Sequence, residues 1–263
     1  MKYFLSLTAI IKDEDYLEEF IIYYMILGVE HFFLYDNEST IPLKKRLNNP
    51  IFKEKCTIIN IPGKAMQIHA YEDCLKRTKM LSIWLIIVDG DEFIFPKKNF
   101  SLRDFLDIYK NYQAIGINWI IFGSSNHEKK QSGFLIDKYT KCEKFNNHIK
   151  VITKPLYTLS MNGVHSVKTI NPNKFIDAGR NILNGPFNKN NNNHIIQINH
   201  YWGKSLEDYK IKINRGNADQ EKKRKIINNY INLYNNTEDL SIKKKYLPHI
   251  KLFFNKYKIP MKK

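Results

Sequence analysis

Residues 84–92 read WLIIVDGDE, and this stretch decides the fold. A tryptophan and four apolar residues run directly into Asp89, Gly90, Asp91 and Glu92. A short, branched, fully apolar run is typical of a buried strand, and the apolar FIF after the acids places them at the edge of a core. Side chains two positions apart on an extended segment share a face, so Asp89 and Asp91 either repel each other or hold a cation. A solvent-exposed Asp-Gly turn is the alternative.

Strand-like and helix-like segments alternate around this stretch. The alternation predicts an α/β fold over residues 1–205, with a twisted, mostly parallel central sheet flanked by helices. From Leu206 onward the pattern is helical and basic, which predicts an extension over 206–263 that packs on the domain or trails it. The predicted strands are 4–11, 31–35, 56–61, 84–88, 114–123 and 194–203, with short strands within 151–160 and 163–167, and the predicted helices are 15–28 and 66–80.

Polar and acidic clusters follow three of the predicted strands. They read KDE at 12–14, DNES at 36–39 and DGD at 89–91. Ligands of parallel α/β sheets bind beyond the carboxyl ends of the strands. We therefore expect the three clusters to gather at one edge of the sheet and to form a single site.

The basic charge of the chain is concentrated at its C-terminal end. The 263 residues carry a net charge of +16, and residues 204–263 hold 16 Lys and Arg against 6 Asp and Glu. This end is either a solvated helical face or a surface for anionic lipid or another acidic partner. No apolar run approaches the ~18 residues that span a bilayer, the first residues lack a signal-peptide layout, and the three scattered cysteines indicate reduced thiols. The expected location is cytoplasmic, or peripheral at a membrane.

Several nucleotide and metal motifs are excluded. An EF-hand would need Gly and Glu where the chain has Ile94 and Phe100, and neither a P-loop nor a GxGxxG pattern is present. The acid pair is suited to holding a hard divalent ion against phosphate oxygens, and a nucleoside diphosphate is an obvious ligand for such an ion.

Six stretches, in this order along the chain, resemble the family 92 type of glycosyltransferase, within the GT-A class of nucleotide-sugar enzymes. The resemblance implies a twisted, mixed sheet between helices, a DxD motif at Asp89 and Asp91, and a nucleotide sugar bound with a divalent metal. The stretches are IIKDEDYLEEFIIYYMILGVEHFFLYDNES (10–39), AYEDCL (70–75), WLIIVDGDEFIF (84–95), WIIFGSSNH (119–127), GVHSV (163–167) and HYWGKSLEDYKIKINRG (200–216).

The resemblance also implies roles for particular residues. Metal ligation by Asp89, Asp91 and His200 would favour Mn²⁺ (or Mg²⁺), and the alternative for His200 is a histidine satisfied among aromatics. Lys204 either meets the phosphates or is a surface charge, and Glu14 either accepts from the nucleoside or only favours the dipole of the helix that follows. The other expected donor contacts are the backbone at Thr8 and Ala9, the carboxylate of Asp36, Arg77, and Gly90 between the acids.

The expected acceptor side is FGSSNHEKK, where Gly123, Ser124 and Ser125 would leave space for a sugar. The acceptor would be a glycan or lipid-linked sugar, whose hydroxyl attacks the anomeric carbon of a UDP-sugar donor with inversion. The general base is His127, Glu128 or Glu92, with His127 favoured. Trp119 is either a stacking platform or a buried core residue, and His165 is either a site residue or structural.

Two other function classes compete with this interpretation. A metal-dependent phosphoryl-transfer enzyme or nuclease would use the same acids with a second carboxylate cluster, for which Glu92 is the nearby extra. A nucleic-acid-binding protein is suggested by the charge and the 32 Phe and Tyr residues. However, no RRM, KH or zinc-finger signature is present, and no specific nucleic acid is expected as a partner.

Overall fold

A twisted mixed sheet forms the centre of the computed structural model, which describes residues 1–97, 101–215 and 226–261. The sheet runs in the order β3-β2-β1-β4-β8-β6-β12-β5, and β11 also pairs with β6. The strands are β1 (Tyr3–Ile11), β2 (His31–Asp36), β3 (Cys56–Asn60), β4 (Ser82–Ile87), β5 (Glu92–Pro96), β6 (Ala114–Ile121), β7 (Lys141–Cys142), β8 (Ile149–Thr153), β9 (Thr158–Asn162), β10 (Ser166–Thr169), β11 (Phe175–Asp177), β12 (Ile196–His200) and β13 (Thr237–Glu238).

The pairing confirms the expected α/β fold with a mostly parallel central sheet. Strands β1 to β4 run parallel to one another, because the connection between each strand and the next includes a helix. Strand β8 is antiparallel to both β4 and β6, whereas β12 is parallel to β6 and antiparallel to β5. The carboxyl ends of β1, β4, β6 and β12 therefore meet the amino ends of β5 and β8 at one edge of the sheet.

The two predicted helices of the first half are confirmed within a few residues. The C-terminal segment is helical over α7 and α8, but residues 226–240 instead contain turns, a 3-10 turn and β13, where Thr237 pairs with Cys142. Residues 216–225, also predicted to be helical, lie outside the described residues. The α-helices are α1 (Leu17–Ile26), α2 (Leu43–Arg46), α3 (Pro50–Lys55), α4 (Gln67–Thr78), α5 (Leu102–Ile108), α6 (Leu135–Lys138), α7 (Leu206–Arg215) and α8 (Ser241–Lys256).

Helix α8 packs on the domain through one apolar face. Ile242, Tyr246, Ile250 and Phe254 follow helical spacing and are buried in the same core as α1. Tyr23 of α1 meets Tyr246 edge-on, with ring centroids 5.1 Å apart. Of the helices in the described ranges, none combines the length and the apolar character needed to cross a membrane.

Two tyrosines of α1 complete the hydrogen bonding of β5. The peptide groups of Glu92 and Ile94 point away from β12, and buried backbone groups require partners. The Tyr24 hydroxyl donates to the Glu92 carbonyl at 2.8 Å and accepts from the Ile94 N–H at 3.0 Å. The Tyr23 hydroxyl donates to the Ile94 carbonyl at 2.6 Å. Because β5 begins directly after Asp91, helix α1 fixes the segment that carries the acids.

We expect Tyr24→Phe to destabilise the protein, because it leaves two buried backbone groups of β5 without their partner. Each such group costs about 1–3 kcal/mol, which lowers the melting temperature by roughly 2–4 °C per kcal/mol for a chain of this size. Thermal unfolding measures the change. The matched control is Tyr157→Phe, at a tyrosine that is 41% exposed, and an equal loss in both variants would contradict the assignment.

Candidate active site

The three strand ends carrying Asp89, Asp91 and His200 meet at one edge of the sheet. Asp89 follows β4, Asp91 precedes β5, and His200 is the last residue of β12. Gly90, between the acids, packs against the end of β1. A Cβ at this position would lie 2.8 Å from Cδ1 of Ile11 and 3.4 Å from Cγ of Glu14. Glycine leaves room for the Ile11 side chain here, and a larger residue would require that side chain to shift.

Asp89 is held by three donors at a single oxygen. Its Oδ1 accepts from Nε2 of Gln67 at 2.6 Å, from the hydroxyl of Tyr71 at 2.7 Å and from Nζ of Lys150 at 3.0 Å. Lys150 is completely buried and also donates to the carbonyl of Val164 at 3.1 Å. Burial alone would raise the pKa of Asp89, but the Lys150 charge holds that pKa below its ordinary value. Asp89 is therefore an ionised, fixed carboxylate.

Asp91 lies between a lysine and a histidine. Nζ of Lys212 is 2.7 Å from Oδ2 of Asp91, and Nε2 of His200 is 3.4 Å from Oδ1. Burial opposes ionisation of Asp91, but Lys212 and His200 hold its pKa well below the ordinary value. The His200 ring is buried against Trp119, with centroids 4.3 Å apart, and burial lowers the pKa of His200. The pair is thus a carboxylate facing a neutral imidazole.

Glu92 has a structural environment, although it is adjacent in sequence to the acids. It is fully buried, and its Oε2 accepts from the Asp89 N–H at 2.9 Å. Burial, followed by the charge of Asp89, raises the pKa of Glu92 well above its ordinary value. Glu92 is therefore a neutral carboxyl that supports the backbone between the two strands.

Lys204 and Glu14 form a buried ion pair beside the acids. Nζ of Lys204 is 2.5 Å from Oε1 of Glu14, and Lys204 is 9% exposed. Burial would lower the pKa of Lys204, but Glu14 and then Asp91 raise it. This pair connects the end of β1 to the segment after β12.

Helix α7 begins where it can present Lys212 to Asp91. The Ser205 hydroxyl and the Asp208 carboxylate bond reciprocally with each other's backbone N–H, at 3.1 and 3.3 Å, which forms a capping box. The N–H of Leu206 also donates to the carbonyl of His127 at 3.0 Å. The loop after β6 therefore fixes the start of the helix that carries Lys212.

The other residues predicted to contact the nucleotide-sugar donor have different partners in the structure. Thr8 and Ala9 are fully buried inside β1, where the Thr8 hydroxyl donates to the Phe33 carbonyl at 3.1 Å. The Asp36 carboxylate accepts from the N–H groups of Ser39 and Leu43 at 3.0 and 2.8 Å, which closes the turn before α2.

Arg77 lies towards the C-terminal end of α4. Its Nε is 2.5 Å from the Asp73 carboxylate, in an exposed i,i+4 pair. Gln67, which contacts Asp89, is at the opposite end of the same helix. Ten residues at 1.5 Å per residue separate the two side chains by about 15 Å along the helix axis.

The loop after β6 differs from the expected acceptor side. Space for a sugar at Gly123 was expected, and this prediction is wrong, because a Cβ there would lie 2.5 Å from the Leu233 carbonyl. The Ser124 hydroxyl donates to the Ile231 carbonyl at 2.6 Å. Segment 231–235 thus fills the expected space.

The two loop residues predicted as general bases have different surroundings. Nε2 of His127 lies 3.0 Å from the Lys138 carbonyl; a carbonyl only accepts, so Nδ1 is the basic atom of this imidazole. Glu128 is exposed, and its carbonyl accepts from the Glu207 N–H at 3.0 Å. Both residues lie beside the start of α7.

Asp91 and His200 are placed so that both can bind one divalent ion. An ionised carboxylate oxygen and a neutral imidazole nitrogen 3.4 Å apart can share an ion at ordinary bond lengths of about 2.0–2.2 Å. Three donors already occupy Oδ1 of Asp89, and among residues 1–97, 101–215 and 226–261 no three His, Cys, Asp or Glu side chains form a ready-made cluster. Ions such as Mg²⁺ take only one or two carboxylates and complete their shell with phosphate and water. The donor set therefore suits an ion that enters with a diphosphate.

The sequence analysis did not identify the two lysines that neutralise the acids. Lys150 is a charged residue inside the apolar strand β8, a pattern that indicates a buried partner without identifying it. Lys212 is 121 positions from Asp91. Gln67 and Tyr71 lie on the predicted helix that contains the AYEDCL stretch, but only the fold shows that this helix starts beside Asp89.

A family model described as glycosyltransferase family 92 matches residues 8–251. A glycosyltransferase family 92 protein of Oryza sativa subsp. japonica is 29% identical over 110 residues. The match covers 41% of the present chain and 19% of the rice protein, so the chain aligns with about a fifth of that relative.

Solved structures show weaker similarity. TarS residues 1–349 of S. aureus, in complex with UDP, superposes with a TM-score of 0.40 and 14% identity over 59% of this chain and 47% of that one. A putative glucose-1-phosphate thymidylyltransferase of Bacillus anthracis, in complex with a sucrose, gives a TM-score of 0.37 and 8% identity over 58% of this chain and 72% of that one.

We expect the buried pair Lys150–Asp89 to show strong coupling in a double-mutant cycle. Lys150→Met alone removes a fully buried ammonium group from Asp89, whose side chain is 29% exposed, and the loss of this charged hydrogen bond costs about 1.5–3 kcal/mol. The double variant Lys150→Met/Asp89→Asn removes both charges, so it should lose less than the sum of the single losses, by about 0.5–3 kcal/mol. Urea unfolding measures each free energy.

The control cycle uses the half-exposed pair Lys243–Asp137, whose charged atoms are 2.8 Å apart. Lys243→Met and Asp137→Asn should couple by at most about 1 kcal/mol. Additive losses at Lys150 and Asp89 would show that the buried charges do not stabilise each other.

Proposed function

Because the chain belongs to glycosyltransferase family 92, we propose that it transfers a sugar from a UDP-sugar to a hydroxyl of a saccharide acceptor. The reaction site is the sheet edge at Asp89, Asp91 and His200. The observation that carries the proposal is the Asp91–His200 pair with the cationic groups of Lys204 and Lys212 around it. This combination offers ligands for an ion and cations for the phosphate oxygens that accompany it.

The charge balance of the site supports a diphosphate that enters together with a divalent ion. The three ionised acids each have a lysine partner, in the pairs Asp89–Lys150, Asp91–Lys212 and Glu14–Lys204. A diphosphate alone would add uncompensated negative charge beside Asp91, whereas an ion held by Asp91 and His200 offsets it. Lys212 has a 14% exposed side chain and can turn from Asp91 to the phosphates once the ion takes its place.

Mn²⁺ (or Mg²⁺), when held by Asp91 and His200, would supply a Lewis acid that stabilises the negative charge on the departing diphosphate. The protein's own residues hold the site in place. Lys150 and the donors on α4 hold Asp89 rigid, Gly90 lets the end of β1 approach, and the neutral His200 ring stays fixed against Trp119.

The proposed transfer is a single displacement with inversion. The acceptor oxygen forms a bond to the anomeric carbon while the bond from that carbon to the diphosphate oxygen breaks. The bonding electrons remain on the diphosphate, and the acceptor proton passes to a base. Nδ1 of His127 is our first candidate for that base, and Glu128 is the second. Glu92 is a poorer candidate, because it is fully buried, burial raises its pKa, and its Oε2 already accepts from the Asp89 N–H.

The position of Glu92 also weakens the phosphoryl-transfer alternative. A two-ion mechanism needs further ionised carboxylates beside the first ion. Glu92 accepts from the Asp89 N–H, and burial raises its pKa. It is therefore poorly suited to act as a ligand of the second ion.

The basic face of α8 is proposed as the contact with anionic membrane. Lys244, Lys245, Lys251 and Lys256 are exposed on this helix, while its opposite face is buried in the core. Lysines near an anionic surface each contribute about 1 kcal/mol of attraction. Such a contact would bring the enzyme to a lipid-linked acceptor.

Vesicle sedimentation at low salt tests this contact. Vesicles containing phosphatidylserine should retain the protein and release it at high salt, and Lys244→Glu/Lys251→Glu should weaken retention. Lys76→Glu/Lys79→Glu makes the same charge change at exposed lysines elsewhere and should weaken it less. Equal effects of the two variants would mean that only net charge matters.

We expect UDP with Mn²⁺ to stabilise the protein against heat. Ligand at 100 times its dissociation constant adds about 2.7 kcal/mol, which corresponds to roughly 5–11 °C for a chain of this size. Asp91→Asn should abolish the shift, because it removes the anionic ligand of the ion. Asp107→Asn, at an exposed position on α5, should keep it. A shift that needs no metal, or that survives in Asp91→Asn, would overturn the proposed ion site.

A further inference from the structure

Four aromatic rings form a row from the candidate site to the surface. His200 lies 4.3 Å from Trp119 between ring centroids, Trp119 stacks on His148 at 5.2 Å, and His148 meets Phe187 edge-on at 4.8 Å. His165 flanks the row, 5.0 Å from Trp119 and 5.7 Å from His148. The inner end of the row is buried, whereas Phe187 at the outer end is 51% exposed.

The outer end of the row is held in place, although it lies in a long loop. The Asn118 side chain makes two hydrogen bonds to Asn188. Its Nδ2 donates to the backbone carbonyl of Asn188 at 2.9 Å, and its Oδ1 accepts from Nδ2 of Asn188 at 2.9 Å. The N–H of Asn188 also donates to the Asn147 carbonyl at 2.7 Å. An exposed phenylalanine on such a fixed segment is ready to contact a ligand without first being ordered.

Hydrogen bonds fix the tautomers of both flanking imidazoles. Nδ1 of His165 is 3.1 Å from the Ile149 carbonyl, which only accepts, so Nδ1 carries the proton. Nδ1 of His148 is 2.9 Å from Oδ1 of Asn146, an oxygen that also accepts the His148 N–H at 3.0 Å. In both rings Nε2 is therefore the acceptor. Burial lowers the pKa of His148 and lowers that of His165 to about 4, so both rings are neutral at physiological pH.

The position of the row relative to Asp89 indicates which substrate it meets. In the sheet order, β1 lies on one side of β4, and β8 and β6 lie on the other. The Glu14–Lys204 ion pair lies at the end of β1, although Lys204 itself follows β12. The row belongs to the β8 and β6 side, since Lys150 of β8 contacts both Asp89 and the Val164 carbonyl, next to His165. On this side Lys150 is fully buried and paired with Asp89, and the row opens to solvent at Phe187.

We propose that Phe187, His148 and His165 form the subsite for a pyranose ring of the acceptor saccharide, with Trp119 behind them. The apolar face of the sugar packs on Phe187 and His148, and sugar hydroxyls donate to the Nε2 atoms of His148 and His165. A flat apolar wall with a few convergent acceptors suits a polyol that is apolar on one face. That the bound saccharide is the acceptor rests on the proposed function, whereas saccharide binding at this surface does not.

Saturation-transfer NMR tests the binding directly. The probes are the methyl β-glycosides of glucose, galactose and N-acetylglucosamine, added to the full chain without donor. At least one should receive saturation, and Phe187→Ala should weaken its binding about tenfold. Phe187→Trp keeps an aromatic face and should stay within about twofold of the wild type, and so should Leu252→Ala, a control at a 65% exposed position of α8. No saturation from any probe, or unchanged binding by Phe187→Ala, would overturn the subsite.

The UDP–Mn²⁺ thermal shift separates this inference from the proposed function. Phe187→Ala should keep the full shift while the KM for a saccharide acceptor rises about tenfold and the KM for the donor stays unchanged. A variant that loses the shift would mean that Phe187 serves the donor, and the acceptor assignment would fall. Saccharide binding through Phe187 in a protein that shows no UDP shift would keep the subsite and overturn the donor site instead.

Discussion

The site depends on a fully buried ammonium group. Lys150 is inaccessible to solvent, and Asp89 is its anionic partner. Neither charge is tolerable in a protein interior without the other. Once Lys150 fixes Asp89, the next residues along the chain are constrained: Glu92 must hold the Asp89 N–H, and as a buried group beside two ionised acids it stays protonated. The three acids of this segment thus differ in their surroundings: Asp89 and Asp91 have lysine partners that lower their pKa values, whereas burial raises the pKa of Glu92.

The short connection from β4 to β5 explains why distant segments must surround the acids. Only the four residues from Val88 to Asp91 separate two strands that lie at different positions in the sheet. Strand β5 pairs with β12 on one side, and α1 tyrosines satisfy its outer peptide groups. His200 faces Asp91 because β12 ends there, and Lys212 reaches Asp91 because a capping box starts α7 directly after β12. The C-terminal region therefore completes the site rather than only following it.

The sequence predicted the strand ends well and their partners poorly. Hydrophobic runs and the acids after them located β1, β2 and β4 because these signals are local. The partner of a buried charge is not local: Lys150 is 61 positions from Asp89 in the chain. Asp36 shows that a local signal can also indicate the wrong role. It follows a strand, as a ligand-binding acid would, but in the structure its carboxylate bonds to the backbone of the next turn. Gly123 indicated open space, but a small residue is equally required where another chain segment packs closely, as 231–235 does.

Under the proposed function, the arrangement of charge along the sheet edge would separate two kinds of recognition. A diphosphate with its ion needs both cations and an ionised carboxylate, and these lie between β1 and β5. A sugar is neutral, so a cation beside its hydroxyls would gain little and would attract phosphate to the wrong place. The imidazoles of His148 and His165 avoid this cost because burial keeps them uncharged. The Lys150 charge contributes to that neutrality at His165, after burial. The same ammonium that allows Asp89 to be an ionised carboxylate therefore helps to keep the neighbouring surface free of positive charge.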